Sequence, residues 1–184
     1  KLIMNDLSQS LLLTSLTKFY NKNENFKYIL KDIIDGKHQL SLRIIEWLVT
    51  HYAKIHNIYY WIDNDSIYDK LPDNVIDYSH FKKINLYHDY RAQLKSYSKF
   101  NFDSFRRHCR ITFFIDMDKK LFIETTIGQL NFFRWIFNNR VIDYAVNNYD
   151  QIYKEMISYN SNKNKTLNIN NQDIIKTKCL LHFD

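Results

Sequence analysis

The chain has 184 residues, 45% of them hydrophobic and 16% aromatic, with 26 Lys/Arg against 20 Asp/Glu and a formal net charge of +6. That length supports one domain, which buries roughly 70% of its unfolded surface on folding, and that apolar content excludes a disordered tail. No apolar run approaches the ~20 residues of a membrane span, and two cysteines 70 positions apart, Cys109 and Cys179, exclude a disulfide-dense scaffold.

Asn, Ile, Lys, Tyr and Phe, residues with AT-rich codons, are abundant, which points to an AT-rich genome. The cysteines read as reduced thiols of an intracellular protein. The chain starts at Lys1 without an initiator methionine, so a fragment of a longer protein is expected. Only two Gly and one Pro punctuate it, and element boundaries are soft.

Leu7–Tyr20 is predicted to be a helix, with Leu12, Leu16 and Phe19 at near-helical spacing. Asn23 is placed to cap a second helix over Phe26–Asp35, ended by Gly36. Leu40–Ile55 is a clearer helix, apolar along Leu42, Ile45, Val49 and Tyr52. Ile58–Ile62 is β-prone and reads as a short strand. Asp63–Asp77 is an acidic loop, and Leu86–Ser98 a helix with Tyr87, Tyr90, Leu94 and Tyr97 inward. Arg110–Asp116 and Leu121–Thr125 alternate like the strands of a hairpin. Thr126 and Gln129 fit a capping box that opens a helix apolar nearly all round, expected at the centre of the core. Val141–Tyr159 is helical with a break near Asn147 and Asn148. Asn160–Gln172 reads as a flexible linker, and Ile174–Phe183 as a last strand that pairs with the hairpin. The fold class is therefore α+β, predominantly helical, one domain over residues 1–184. The hairpin and the C-terminal strand form a small antiparallel sheet.

Most chemistry fails on spacing. The acidic loop lacks the oxygen ligands and glycine of an EF-hand, since Ile67 and Tyr68 hold those positions, and a solvated loop is the simpler reading. Asp116, Asp118 and Glu124 flank the hairpin, the best case for a metal-dependent nuclease, but no lysine follows Glu124 at the required spacing. The histidines form no ligand set, and no tyrosine is singled out as a nucleophile. No cofactor and no catalytic residue is expected, and the chain reads as a non-enzyme.

The charge pattern is the exception. Residues Lys82–Arg110 hold eight Lys/Arg and two Asp, a net of +6, while the remainder holds 18 Lys/Arg and 18 Asp/Glu. A basic stripe interleaved with Tyr and Phe points to a phosphate-bearing partner. Arg91, Lys95 and Lys99 lie one helical turn apart in line. Arg106, Arg107 and Arg110 are guanidinia, which grip phosphates in pairs of hydrogen bonds. Phe100 and Phe102 stand between the two groups as stacking candidates for bases. About six phosphate contacts would give log K a slope near −5 against log salt.

Three stretches carry a resemblance: LSLRIIEWLVTHYAK (40–54), YRAQLKSYSKFNFDSFRRHCRI (90–111) and TTIGQLNFFRWIFNNRVIDY (125–144), together with the ending KTKCLLHFD. Over about half its length the chain resembles a family of small uncharacterised proteins of nucleocytoplasmic large DNA viruses, the giant viruses of protists. It departs from that pattern at His108 and Cys109, which interrupt the arginine run. The resemblance implies a viral origin, with residence in the host cytoplasm or viral factory and packaging in the virion as expectations. It transfers no catalytic residues.

The functional expectation is a nucleic-acid-binding protein, DNA ahead of RNA, in which Arg91, Lys95, Lys99, Arg106, Arg107 and Arg110 contact phosphates without reading sequence. The alternative is a structural or interaction module of the virion or factory. Its basic helix would meet an acidic protein surface, including the Asp63–Asp77 loop of a second copy, giving a homo-oligomer.

Overall fold

The computed structural model describes residues 2–64, 66–73 and 77–162, with side chains described from Leu7 onward. Two helices, α1 (Leu2–Lys22) and α2 (Glu24–Ile34), open the chain. Asn23 sits between them but does not cap α2 through its side chain, which donates to the Phe19 carbonyl instead (2.9 Å). Gly36 follows α2 with φ +71°, the left-handed stop that glycine accepts without strain.

The third helix, α3, is α-helical over Leu42–Trp47, π-helical over Leu48–Tyr52 and α-helical again over Ala53–Ile55. Ser41 caps it by accepting from the Ile44 amide (3.3 Å). Next come the strands β1 (Tyr59–Asp63), β2 (Ser66–Tyr68) and β3 (Lys82–Asn85), joined as an antiparallel sheet in the order β2-β1-β3. Only β1 was expected. β2 lies within the supposed acidic loop, and β3 is half lysine. Pairing with the aromatic β1, Tyr60 opposite Ile84 and Ile62 opposite Ile67, holds both.

Helix α4 (Leu86–Asn101) follows β3 directly, capped by Asn85 accepting from the His88 amide (3.2 Å). Strands β4 (Ile111–Asp116) and β5 (Leu121–Thr125) form a two-stranded hairpin. Its burial alternates with period two: Phe113, Ile115 and Ile123 face the core, while Phe114, Phe122 and Glu124 face out. Helix α5 (Ile127–Asn138) is the centre of the molecule, with Leu130, Phe133 and Ile136 wholly buried. Each such burial stabilises by about 1.5–3 kcal/mol. Helix α6 (Val141–Asn147) and a last helix, α7 (149–162), are separated by a turn at Asn148, as the sequence indicated.

The first three residues of the expected linker, Asn160–Asn162, are therefore helical. The rest of that linker, the expected strand Ile174–Phe183 and Cys179 lie outside the described residues. Around α5, α1 packs on one side and α4 on another. The buried Tyr20 hydroxyl donates to the Leu130 carbonyl (2.9 Å), fixing α1 against α5. The fold is predominantly helical α+β, with two small antiparallel sheets.

Candidate nucleic-acid interface

The loop that carries the arginines is pinned by the first turns of α5. Thr126 caps α5 by accepting from the Gln129 amide (3.1 Å). The Gln129 side chain does not complete the capping box. It accepts from Thr125 Oγ1 (2.7 Å) and donates through Nε2 to the Ser104 carbonyl (2.9 Å). Asn131 Nδ2 donates to the Asn101 carbonyl (2.9 Å), and the Asp103 amide donates to the Gly128 carbonyl (3.2 Å). Gly128 suits this close approach, because a Cβ would stand 3.0 Å from the Phe100 carbonyl oxygen.

Phe102 is the plug of this loop and a correction to the sequence reading. It is 1% exposed, with Phe132 at 5.5 Å and Trp135 at 5.9 Å between ring centroids, so no base can stack on it. Phe100 is 42% exposed, and its ring lies 3.7 Å beneath the guanidinium of Arg106, a cation–π pair. That contact joins the end of α4 to the loop, and so links the two halves of the basic window. Arg107 and Arg110 are exposed, and the chain bends between them at His108 and Cys109.

On α4, Arg91 and Lys95 are exposed, one turn apart. Lys99 is exposed too but does not continue their line, because Ser98 leaves helical geometry (φ 59°, ψ 163°) and redirects the chain. Lys99 lies on the α3 side of the helix. Burial raises the Glu46 carboxyl of α3, and Lys99 is among the charges that pull it back; burial likewise raises the Tyr90 phenol, against which Arg91 acts.

Among the described residues, none of the window's eight cations has a carboxylate oxygen within 4.0 Å. Among the described residues, the acidic loop does not compete for them. Asp63 faces His80 (3.7 Å), and Asp77 is held by the Ser79 amide (2.8 Å) and hydroxyl (2.9 Å).

Lys82 and Lys83 are set apart from the rest. They line a cleft bounded by α1, β3, α4 and α5, on the face of α4 that carries Asp89 and Gln93. Arg91 and Lys95 are two residues on, roughly 200° around the helix. The cleft also gathers Lys18, Lys22 and Arg134. Sequence reasoning missed these three, because they sit where the net charge is zero and only the packing of α1 on α5 brings them together.

The nuclease candidates do not converge. Asp116 bonds Lys119 (2.9 Å) and the Tyr28 hydroxyl (3.1 Å), while Glu124 accepts from Thr112 Oγ1 (2.7 Å) on the outer face of the hairpin. Among the described residues, no three His, Cys, Asp or Glu side chains gather as a metal site, and no helix is long and apolar enough to cross a membrane.

A model of a family of unknown function, DUF7197, matches residues 5–179. "Uncharacterized protein L507" of Acanthamoeba polyphaga mimivirus is 32% identical over 158 residues, 84% of this chain. The chain spans little more than half of that relative, 56% of its length. No solved structure matches.

Proposed function

The chain belongs to the DUF7197 family of unknown function, with a giant-virus relative but no inherited role, and we propose from its own surface that it binds nucleic acid through phosphate contacts. The observation that carries this reading is the Arg106–Phe100 contact, which folds the arginine loop back onto the end of α4. It brings Lys99 and Arg107, the sequence neighbours of that pair, to the same corner of the molecule. Arg91, Lys95, Lys99, Arg107 and Arg110 are exposed and without a carboxylate partner among the described residues. Five exposed cations without an internal counter-ion attract a polyanion.

Arg106 has a different part. It is half-buried, with its guanidinium on Phe100, and holds the loop in place while its outer edge stays available to a phosphate oxygen. Phe100 offers a single partly exposed ring for stacking, too little for base reading. Binding is therefore sequence-independent, and the partner is DNA, the genome of the viruses the chain resembles.

Fluorescence anisotropy with labelled 20-base-pair duplexes tests this. Duplexes of unrelated sequence should bind alike, and Arg107→Gln with Arg110→Gln should lower the salt slope by about 2. Binding that survives this double substitution at full strength and full slope would refute the assignment. Binding of an acidic protein surface and not of DNA would favour the interaction-module alternative.

A further inference from the structure

The cleft on the other face of α4 has a volume of about 790 Å³, well beyond one phosphate and within the range of small-molecule sites. Four cations face it, Lys18, Lys22, Lys82 and Arg134, against the single carboxylate of Asp89; Lys83 borders it, but its ammonium lies over the rings of Tyr59 (4.9 Å) and Trp61 (5.3 Å). Asp89 is already engaged, accepting from the Asn85 amide (3.1 Å); burial raises its carboxyl, and the Asn85 hydrogen bond and the Lys82 charge pull it back.

The two best-placed cations are held by neutral groups. Arg134 donates through Nη1 to Ser15 Oγ (3.1 Å), and through Nη2 to the Tyr97 hydroxyl (3.2 Å) and Asn131 Oδ1 (2.7 Å). Three of the five N–H groups of a guanidinium are thereby used, which fixes its plane and leaves two donors. No carboxylate lies within 4.0 Å of it among the described residues. Lys82 Nζ donates to Asn139 Oδ1 (2.8 Å). Asn139 is itself 5% exposed and locked, its Nδ2 on the Trp135 carbonyl (2.9 Å) and its own carbonyl under the Tyr60 hydroxyl (2.6 Å). Buried polar groups thus orient both cations before any ligand arrives, so little ordering is left for binding to impose.

We infer that this cleft is a second anion site, separate from the surface cations, and that it takes the phosphates of a nucleotide-sized ligand. The charge excess favours an anion of more than one negative charge, and the two free N–H groups of Arg134 can each donate to a phosphate oxygen. The remaining lining supplies amides, Gln93 and Asn138, which suit the polar edge of a base or sugar. A free nucleotide and a nucleotide of a single strand present the same chemistry.

Isothermal titration calorimetry on the whole chain separates them, with ATP, adenosine and a ten-residue thymidine oligonucleotide as probes. ATP should bind at one site per chain and adenosine should not. Arg134→Gln should weaken ATP binding about 10- to 100-fold, the loss expected for a charge-assisted hydrogen-bonding group. The exposed pair Lys18→Gln with Lys22→Gln, which leaves the core intact, should weaken it as well, while Lys154→Gln on α7 should not. Binding of the oligonucleotide but not of ATP, lost in the same variants, would support the site and assign it to a strand. If both sets of variants bind the probes as the unaltered chain does, or if neither probe binds the unaltered chain, the inference is wrong. Duplex binding that persists in Arg107→Gln with Arg110→Gln would instead overturn the surface reading and leave the ATP comparison unaffected.

Discussion

Phe100 and Phe102 are two residues apart and chemically identical, yet one is a surface ring under Arg106 and the other a core ring against Phe132. Phe102→Ala should cost about 3–5 kcal/mol of stability. Phe100→Ala should stay within about 1 kcal/mol, because its ring is 42% exposed and loses little beyond one cation–π contact. Chemical denaturation of both variants checks the contrast. The difference was not legible in the sequence, where both read as members of a Phe-rich turn. Ser98 breaks the helix just before them, and Phe102 has left helical geometry (φ −151°, ψ 85°), so the two rings leave the chain in different directions. The charges were easier to read, since an exposed lysine or arginine needs no partner to be placed on a surface. Asp116 gives a second test. Its hydrogen bonds from the Lys119 side chain and amide, and from Tyr28, pull its carboxyl from the ordinary 3.8 to about 2. A carboxyl depressed in the folded state adds stability that is complete above the unfolded value and lost as pH falls through about 2. An NMR titration should find the Asp116 midpoint near 2, and Lys119→Ala should move it back towards 3.8.

At the scale of elements, the sequence showed what local pattern controls. The hairpin alternates because one face is buried, the helix at Thr126 starts where a capping hydroxyl precedes an apolar run, and the helix break falls at Asn148. Strands β2 and β3 were missed because nothing in Ser66–Tyr68 or Lys82–Asn85 alternates by itself; pairing with β1 makes them strands. The second half of the capping box failed because Gln129 had a better use, tying Ser104 to α5. Substitution of Thr126 by Ala should cost about 1 kcal/mol through the lost cap. Gly128→Ala should be worse than its gain in helix propensity implies. Its Cβ would press on the Phe100 carbonyl at 3.0 Å, and overpacking of this kind costs about 1–3 kcal/mol. Thermal unfolding should rank Gly128→Ala below Thr126→Ala. DNA binding by Gly128→Ala should also fall, because the displaced loop carries Arg107 and Arg110.

For the whole molecule, folding divides a continuous basic window into two surfaces. Lys82 turns to the cleft, where Lys18, Lys22 and Arg134 join it, while Arg91 and Lys95 are exposed on α4, Lys99 lies towards α3, and Arg107 and Arg110 are on the loop. A window averaged along the sequence could locate the charge excess but not this division, because three of the four cleft cations come from segments without net charge. The account stands on the five exposed cations acting together on one polyanion. The most direct measurement is the dissociation constant for a DNA duplex over a series of salt concentrations. Five phosphate contacts on duplex DNA give log K a slope of about −4.5 against log salt. A slope near that value, equal for unrelated sequences, is the expected result, and an affinity indifferent to salt would contradict it.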